Sequence, residues 1–212
     1  MSSKIELPKI PAVLPQLTGE LYSLQVKDEF SNGTINDITI DDQHANKVSF
    51  DKVVFNNVTI MESTLQEMEL TDVIFEKCDL FNVDLSGSFL HRVQFNNCKL
   101  IGTDFTKSRF QNVSLHNCVG DYSVYRFSTF KSVNFEGCSL ISSDFYHSTV
   151  QKLSLSQCNI DQVLFSGTKL NGVDLSNCEF DGLQVDIEDL AGCIIAPQQA
   201  TSFVGLLGII MK

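Results

Sequence analysis

Six of the seven cysteines, Cys78, Cys98, Cys118, Cys138, Cys158 and Cys178, recur every twenty residues. A helix repeats a face about every 3.6 residues and a strand every 2, so neither explains a period of twenty. The chain must wind and return to the same place once per coil.

Each coil divides into four. A large apolar residue stands at every fifth position from Phe30 through Phe50, Leu70, Leu90, Phe110, Phe130 and Val150 to Ile195, with Ala45 and Gly120 as the exceptions. Two residues before each stands a smaller one, and these sort into four columns. One is the cysteine column. The others are Val83, Thr103, Ser123, Ser143 and Val163; then Ser88, Ser108, Ser128, Ser148 and Thr168; then Val73, Val93, Val113, Val133 and Val173. Residues two apart share a face of an extended segment, so each unit of five buries two side chains and exposes three. Turn-forming residues fall between the sides: Gly87, Gly102, Gly137, Gly167, Gly172, Asn97, Asn117 and Asn177. The pattern predicts an all-β solenoid of about eight four-sided coils, each burying its faces against its neighbours.

Five units show the repeat plainly: VDLSG (83–87), TDFTK (103–107), VNFEG (133–137), SDFYH (143–147) and VDLSN (173–177). They resemble the pentapeptide-repeat family, whose unit is a small residue, Asp or Asn, Leu or Phe, then two variable residues. The resemblance spans 28–197 without a break in register and implies a right-handed quadrilateral β-helix.

The flanks leave the pattern. Residues 1–27 carry Pro8, Pro11 and Pro15, which exclude a regular helix or central strand there. They are expected to cap the N-terminal end, with a short helix near Gln16–Leu24. Residues 198–212 are expected to form an apolar C-terminal helix that caps the other end. It has more apolar surface than one coil end can cover, so Phe203, Leu206, Leu207, Ile209 and Ile210 are expected to form a homodimer interface.

Net charge is −11. Residues 1–84 hold fifteen acids against six bases, 85–170 five against eight, and 171–212 six against one. The ends are acidic and the middle is mildly basic. The opening MSSKIELPKIP has no apolar leader, and the run from Phe203 to Met211 is too short to span a bilayer. The expectation is a cytoplasmic protein with no membrane contact.

Nothing in the pattern builds a catalytic site, and neither enzyme activity, a metal nor a cofactor is expected. His44, His91, His116 and His147 all fall on outward positions, and only His116 has a carboxylate, Glu136, one coil away. The cysteines point inward as core filler, and a line of thiols cannot surround one metal. Asp79, Asp84, Asp104, Asp144 and Asp174 recur with the repeat and read as turn residues. Gly120 takes an inward position that lacks a side chain, and Tyr122 and Tyr125 are expected to lean into the gap.

Surfaces therefore carry the function. One candidate is acidic: Glu62, Glu67, Glu69, Asp72 and Glu76 near one end, with Glu179, Asp181 and Asp186 near the other. A second is an apolar outward face: the column of Phe81, Ile101 and Ile141, interrupted by Asp121, with Tyr122 beside it. A third gathers basic and aromatic residues, among them Lys107, Arg126, Phe127, Tyr146 and His147.

The tail adds a resemblance of its own. Gln199-Ala200, six residues, then Leu207-Gly208-Ile209 is similar to the C-terminal end of Qnr-type quinolone-resistance proteins. That resemblance implies an end-to-end homodimer that binds a type II topoisomerase, DNA gyrase or topoisomerase IV. It also implies protection against fluoroquinolones by DNA mimicry, without direct contact to nucleic acid. The alternative is a protein–protein interaction scaffold that uses the apolar column.

Overall fold

The computed structural model describes residues 5–17, 21 and 23–210. Among these residues nine strands wind into a parallel β-solenoid: β1 (Glu29–Asn36), β2 (Thr39–Asp41), β3 (Ser49–Asn56), β4 (Thr59–Met61), β5 (Glu69–Glu76), β6 (Phe89–Asn96), β7 (Arg109–His116), β8 (Thr129–Glu136) and β9 (Thr149–Ser156). The order β1-β3-β5-β6-β7-β8-β9 forms one seven-stranded sheet, and β2 pairs with β4. Every register step is twenty residues, as in Phe30↔Phe50, Val93↔Val113 and Phe135↔Leu155. The regular sheet makes six steps between its seven strands. Twenty-residue pairing then continues without strands to Asn159↔Glu179, Leu164↔Gln184 and Asp174↔Ile194, which accounts for the coils expected beyond those six.

Each eight-residue strand covers two sides of the coil and bends between them at a left-handed residue, such as Arg92 (φ 52°) or Asn112 (φ 55°). A positive φ recurs at every fifth residue from Lys27 to Gly172. At these corners the N–H reaches the next coil: Asn82 donates to Ile101 O at 2.9 Å, Lys107 to Arg126 O at 2.8 Å and Tyr122 to Ile141 O at 2.9 Å. A left-handed backbone costs a non-glycine residue about 1–2 kcal/mol. The parallel ladder on both sides of each corner must hold it.

The expected inward residues form the core. Phe55, Phe75 and Phe95 stack at 4.6 and 4.8 Å, and Phe110 stacks on Phe130 at 4.9 Å. Tyr125 continues a second stack between Phe105 and Phe145, at 5.5 and 4.6 Å. It occupies an ordinary inward position and is fully buried. Tyr122 does not lean into the Gly120 gap. It sits at a left-handed corner with its side chain exposed. At Gly120 the neighbours are Leu140 and Ser123, and Ser123 donates to the Gly120 carbonyl at 2.5 Å.

The small columns have distinct duties. The six repeat cysteines are free and buried, and the Cys98 thiol lies 3.4 Å from Phe75 O, one coil below. Burial pushes the Cys178 thiol up to about 11, which keeps it protonated and a poor nucleophile. The hydroxyl column accepts backbone N–H groups from the coil below: Ser88 donates to Ser108 Oγ, Ser108 to Ser128 Oγ and Ser148 to Thr168 Oγ1, at 2.9–3.0 Å.

The expected helix near Gln16–Leu24 is preceded by a single bridge to the first coil, and Leu21 within it has 3-10 conformation. Gln16 pairs with Thr34, Leu17 N–H donates to Thr34 O and Thr34 N–H to Pro15 O, both at 2.8 Å. Residues 18–20 and 22 of the expected Gln16–Leu24 helix lie outside the described residues. Leu17 stands directly over Gly33, where a Cβ would overlap its side chain. Gly33 holds a position in the valine column, and Leu17 packs there against the core. Upstream, residues 5–10 run along one corner of the rod. Lys9 N–H donates to Asp72 Oδ1 at 2.8 Å and Glu6 N–H to Asn112 Oδ1 at 3.4 Å. Asp72 is only 2% exposed and takes two bonds from Arg92, at 2.6 and 2.7 Å. The Arg92 bonds outweigh burial, with help from Lys9 N–H, and hold the Asp72 carboxyl below its ordinary value.

At the C-terminal end Asp189 is also buried. Burial pushes its carboxyl up, but Lys169 at 2.8 Å and the Gly167 N–H at 2.7 Å outweigh this and hold it low. Pro197–Leu207 forms a 3-10 helix. Its Gln199 is buried and ties the helix down: the amide donates to Leu175 O and Cys178 O at 2.9 and 2.8 Å, and Oε1 accepts the Ala196 N–H at 2.8 Å. Among the described residues no helix is long and apolar enough to cross a membrane.

Two predictions follow from the N-terminal contacts. Gly33→Val restores the column consensus, yet it should destabilise the rod by about 1–3 kcal/mol through overpacking against Leu17, read as a lower urea midpoint. Asp72→Asn should cost on the order of 3 kcal/mol at pH 7, because Arg92 is left without its carboxylate. The folded pKa of Asp72 is depressed, so its stabilisation is complete above the unfolded value near 3.9 and fades as pH falls through the folded one. Urea melts of wild type and Asp72→Asn should therefore differ at pH 7 and converge toward pH 2.

Candidate interaction surfaces

The repeat fixes where every outward side chain stands. Residues twenty apart lie above one another, and residues five apart lie on successive sides. Glu62, Glu67, Glu69, Asp72 and Glu76 belong to one coil, so they ring the rod and do not share a face. Glu62, Glu67 and Glu69 are exposed and Glu76 is half-buried. Glu67 lies 3.5 Å from Lys47, and Glu76 accepts from Asn97 Nδ2 at 3.1 Å. Asp72 drops out of this surface, because it is buried beneath the N-terminal segment and neutralised by Arg92. Glu179, Asp181 and Asp186 are exposed near the C-terminal end. Glu188 is exposed there too, whereas Asp189 is buried against Lys169.

The recurring aspartates act as corner residues. Asp79, Asp84, Asp104, Asp144 and Asp174 each accept the N–H two residues on, at 2.7–3.2 Å. This is the Asx-turn arrangement that favours Asp at such a position. His116 pairs with Glu136 at 3.3 Å as expected. An open trough of about 320 Å³ along the corner is lined by residues including Gln66, Glu67, Asp84, Asp104 and Lys107. Its carboxylates are solvated and turn-bonded, with nothing to hold a substrate away from water. Among the described residues no group of histidines, cysteines and acids is placed to hold a metal ion.

The apolar column becomes a ridge on one corner. Phe81 is 50% exposed and Tyr122 63%, with Ile101 and Ile141 half-buried between and above them. Met61 extends the ridge downward and Val119 flanks it, both exposed. The next corner carries the basic and aromatic group. Exposed Phe127 packs edge-on against Tyr146 at 5.8 Å and stacks on His147 at 6.0 Å, while Arg126 is neutralised by Asp144 at 2.5 Å. Arg109 lies over the Phe89 ring at 5.4 Å. The basic charge of this group is thus partly spent within the rod.

The C-terminal end divides the expected dimer residues. Phe203 and Leu206 are half-buried and pack on the chain's own core, Phe203 against Phe180 at 5.8 Å. Ile209 and Ile210 are exposed. The Leu207 side chain lies outside the described residues. Ile187 and Ile194 are exposed as well, and the burial pattern did not single them out because both fall on outward positions of the five-residue unit. An open cleft of about 500 Å³ lies between Val185, Asp186, Ile187, Glu188 and Leu206. Gln199, visible in the sequence only through the tail resemblance, proves to be the anchor that seats the helix.

The chain matches two family models, pentapeptide repeats in eight copies over residues 78–117 and a pentapeptide repeat region over residues 128–196. No curated sequence matches it at a significant level. Among solved structures it is similar to HetL, a pentapeptide repeat protein involved in heterocyst differentiation regulation from the cyanobacterium Nostoc sp. strain PCC 7120. The identity is 15% with a TM-score of 0.42, over 83% of this chain and 92% of that one. It is similar also to full-length QnrB1, a plasmid-mediated fluoroquinolone resistance protein, at 14% identity and a TM-score of 0.42, over 84% and 100% of the two chains. At these values the structural likenesses carry no argument about what the chain binds. The two family models together cover just over half of the sequence, and the five-residue units they describe are the sides of the coils seen here. The chain belongs to the pentapeptide-repeat family.

Proposed function

We propose that the protein is a non-enzymatic binding rod that docks into the basic DNA-binding groove of a type II topoisomerase, DNA gyrase or topoisomerase IV. The observation that carries this reading is the cluster of exposed carboxylates at Glu62, Glu67 and Glu69, on two adjacent corners of one coil, with further acids at Glu179, Asp181 and Asp186. A groove built for duplex DNA meets charge from more than one side, and carboxylates on adjacent corners present it that way. Electrostatic complementarity of this kind steers association and fixes orientation. The chain's net charge of −11 supports it, as does the tail similarity to Qnr-type proteins.

Two copies joined end to end would present both acidic regions along one rod. The exposed Ile187, Ile194, Ile209 and Ile210 supply the apolar end for such a homodimer, with Phe203 and Leu206 holding the helix beneath them. Occupying the groove would protect the enzyme from a fluoroquinolone by competing with the DNA that the drug-trapped complex requires.

The test is charge reversal that spares the fold. Lys47, Lys52 and Lys77 occupy left-handed corners equivalent to those of Glu62 and Glu67, so lysine is tolerated there. Glu62→Lys, Glu67→Lys, Glu69→Lys and Glu179→Lys together, with Asp72 left intact, should weaken gyrase binding at least about tenfold. The same combination should abolish any rescue of supercoiling in the presence of a fluoroquinolone. Wild-type binding should also fall steeply with added salt. Unchanged binding by a folded charge-reversed rod would contradict the proposal.

A further inference from the structure

The corner under the N-terminal segment differs from the other three. Corner residues elsewhere are mostly solvent-exposed, but here Asp72 and Asn112 are buried and Arg92 is half-buried between them. These three stand above one another in successive coils. They meet the chain's own residues 5–10 through the backbone: Glu6 N–H goes to Asn112 and Lys9 N–H to Asp72. Three residues of segment thus span two coils of rod. Two coils measure about 9.6 Å at the spacing of paired strands. Three residues of polyproline II rise about 9.3 Å, one full turn. An extended, proline-punctuated peptide is therefore commensurate with this corner, and two N–H groups three residues apart meet side chains of the column.

The segment has the matching composition, Glu6-Leu7-Pro8-Lys9-Ile10-Pro11. Ile5, Pro8 and Ile10 are half-buried, while Leu7 is 62% exposed. Glu6 lies where its charge acts on both His91 and Arg92. Yet the fit is incomplete. His91 Nδ1 and the hydroxyl of Ser114, itself 3% exposed, are buried without a hydrogen-bond partner. Ser114 follows Asn112 by two residues on β7, and His91 adjoins Arg92 on β6. The segment leaves unused two polar groups that a better-matched peptide could engage.

We propose that this corner is a recognition groove for an extended partner peptide, with an acidic residue, any residue, proline, any residue and an aliphatic residue. Residues 5–10 are its built-in occupant. The partner displaces them and pairs its main-chain N–H groups with Asp72 and Asn112. Recognition through N–H groups three residues apart sets the register, and the proline at the third place gives up no needed donor because it falls between the two N–H groups that are received.

The test uses the full chain. Lys9→Pro removes the N–H that reaches Asp72 without breaking the extended form, and Ile10→Asp added to it loosens the segment further. A fluorescent peptide of residues 4–17 should bind this double variant saturably. It should bind wild type at least about tenfold more weakly, because the tethered segment competes at an effective concentration of order millimolar. The same peptide carrying proline at position 9 should lose at least about tenfold toward the variant, since it lacks the donor for Asp72. A second readout needs no variant: excess unlabelled peptide should speed trypsin cleavage after Lys9 of wild type. Absence of saturable binding at millimolar peptide, equal affinity for wild type and variant, indifference to proline at position 9, or an unchanged cleavage rate would each overturn the proposal.

Discussion

The structure depends on closing each coil after twenty residues, with backbone groups facing their equivalents in the coils above and below. Closure requires four corners, and from Lys27 to Gly172 each corner is made by one left-handed residue, whose N–H in the central coils is received by the neighbouring coil. Glycine makes some of these turns at no steric cost. Elsewhere Arg92, Tyr122, Phe127 and His147 adopt the same conformation, and for them the ladder must supply what the local preference withholds. A residue at such a corner is therefore stable only as part of a stack. That is the physical sense in which stability in a solenoid is a sum over neighbours.

The stack was legible because burial is periodic. Cys78 through Cys178 mark one column, and the large residue at every fifth position marks all four sides. The corner aspartates were legible too, since Asp84 and Asp104 recur in step with the turns they bond. What the sequence hid are contacts made out of register. Gly33 looks like a weak member of the valine column until Leu17, sixteen positions earlier, is found over it. Asp72 looks like one more surface acid until Lys9 and Arg92 are found around it. Tyr125 and Tyr122 differ by three positions in sequence and by inside against outside in space. Five-residue counting separates them once register is preferred to proximity. The hydroxyl column could have been anticipated from composition, but its role as acceptor for the N–H one coil below needed coordinates.

The same regularity shapes what the rod can bind. Among the described residues the clefts are open to water, so the surfaces the rod presents are its ridges, corners and ends. Residues within one coil lie around the rod, as Glu62 and Glu67 do on adjacent corners. Residues in one column make a line along it, as Phe81 and Ile101 do. Asp72, Arg92 and Asn112 make another line, and there the chain lays its own segment across the coils. The ends are finished differently. Leu17 closes one with an apolar side chain, and Gln199 fastens the helix that closes the other by three hydrogen bonds.

Coil deletion tests the central claim most directly. Removing residues 99–118 takes out one twenty-residue period and rejoins every column to its own kind, cysteine to cysteine and valine to valine. Removing residues 99–108 takes out half a period and places each column above a different one, while shortening the chain less. Urea unfolding of the two should show a cooperative, folded rod for the twenty-residue deletion and a loss of cooperative folding for the ten-residue one. Equal stability of both, or a more stable ten-residue deletion, would contradict an architecture governed by closure at twenty.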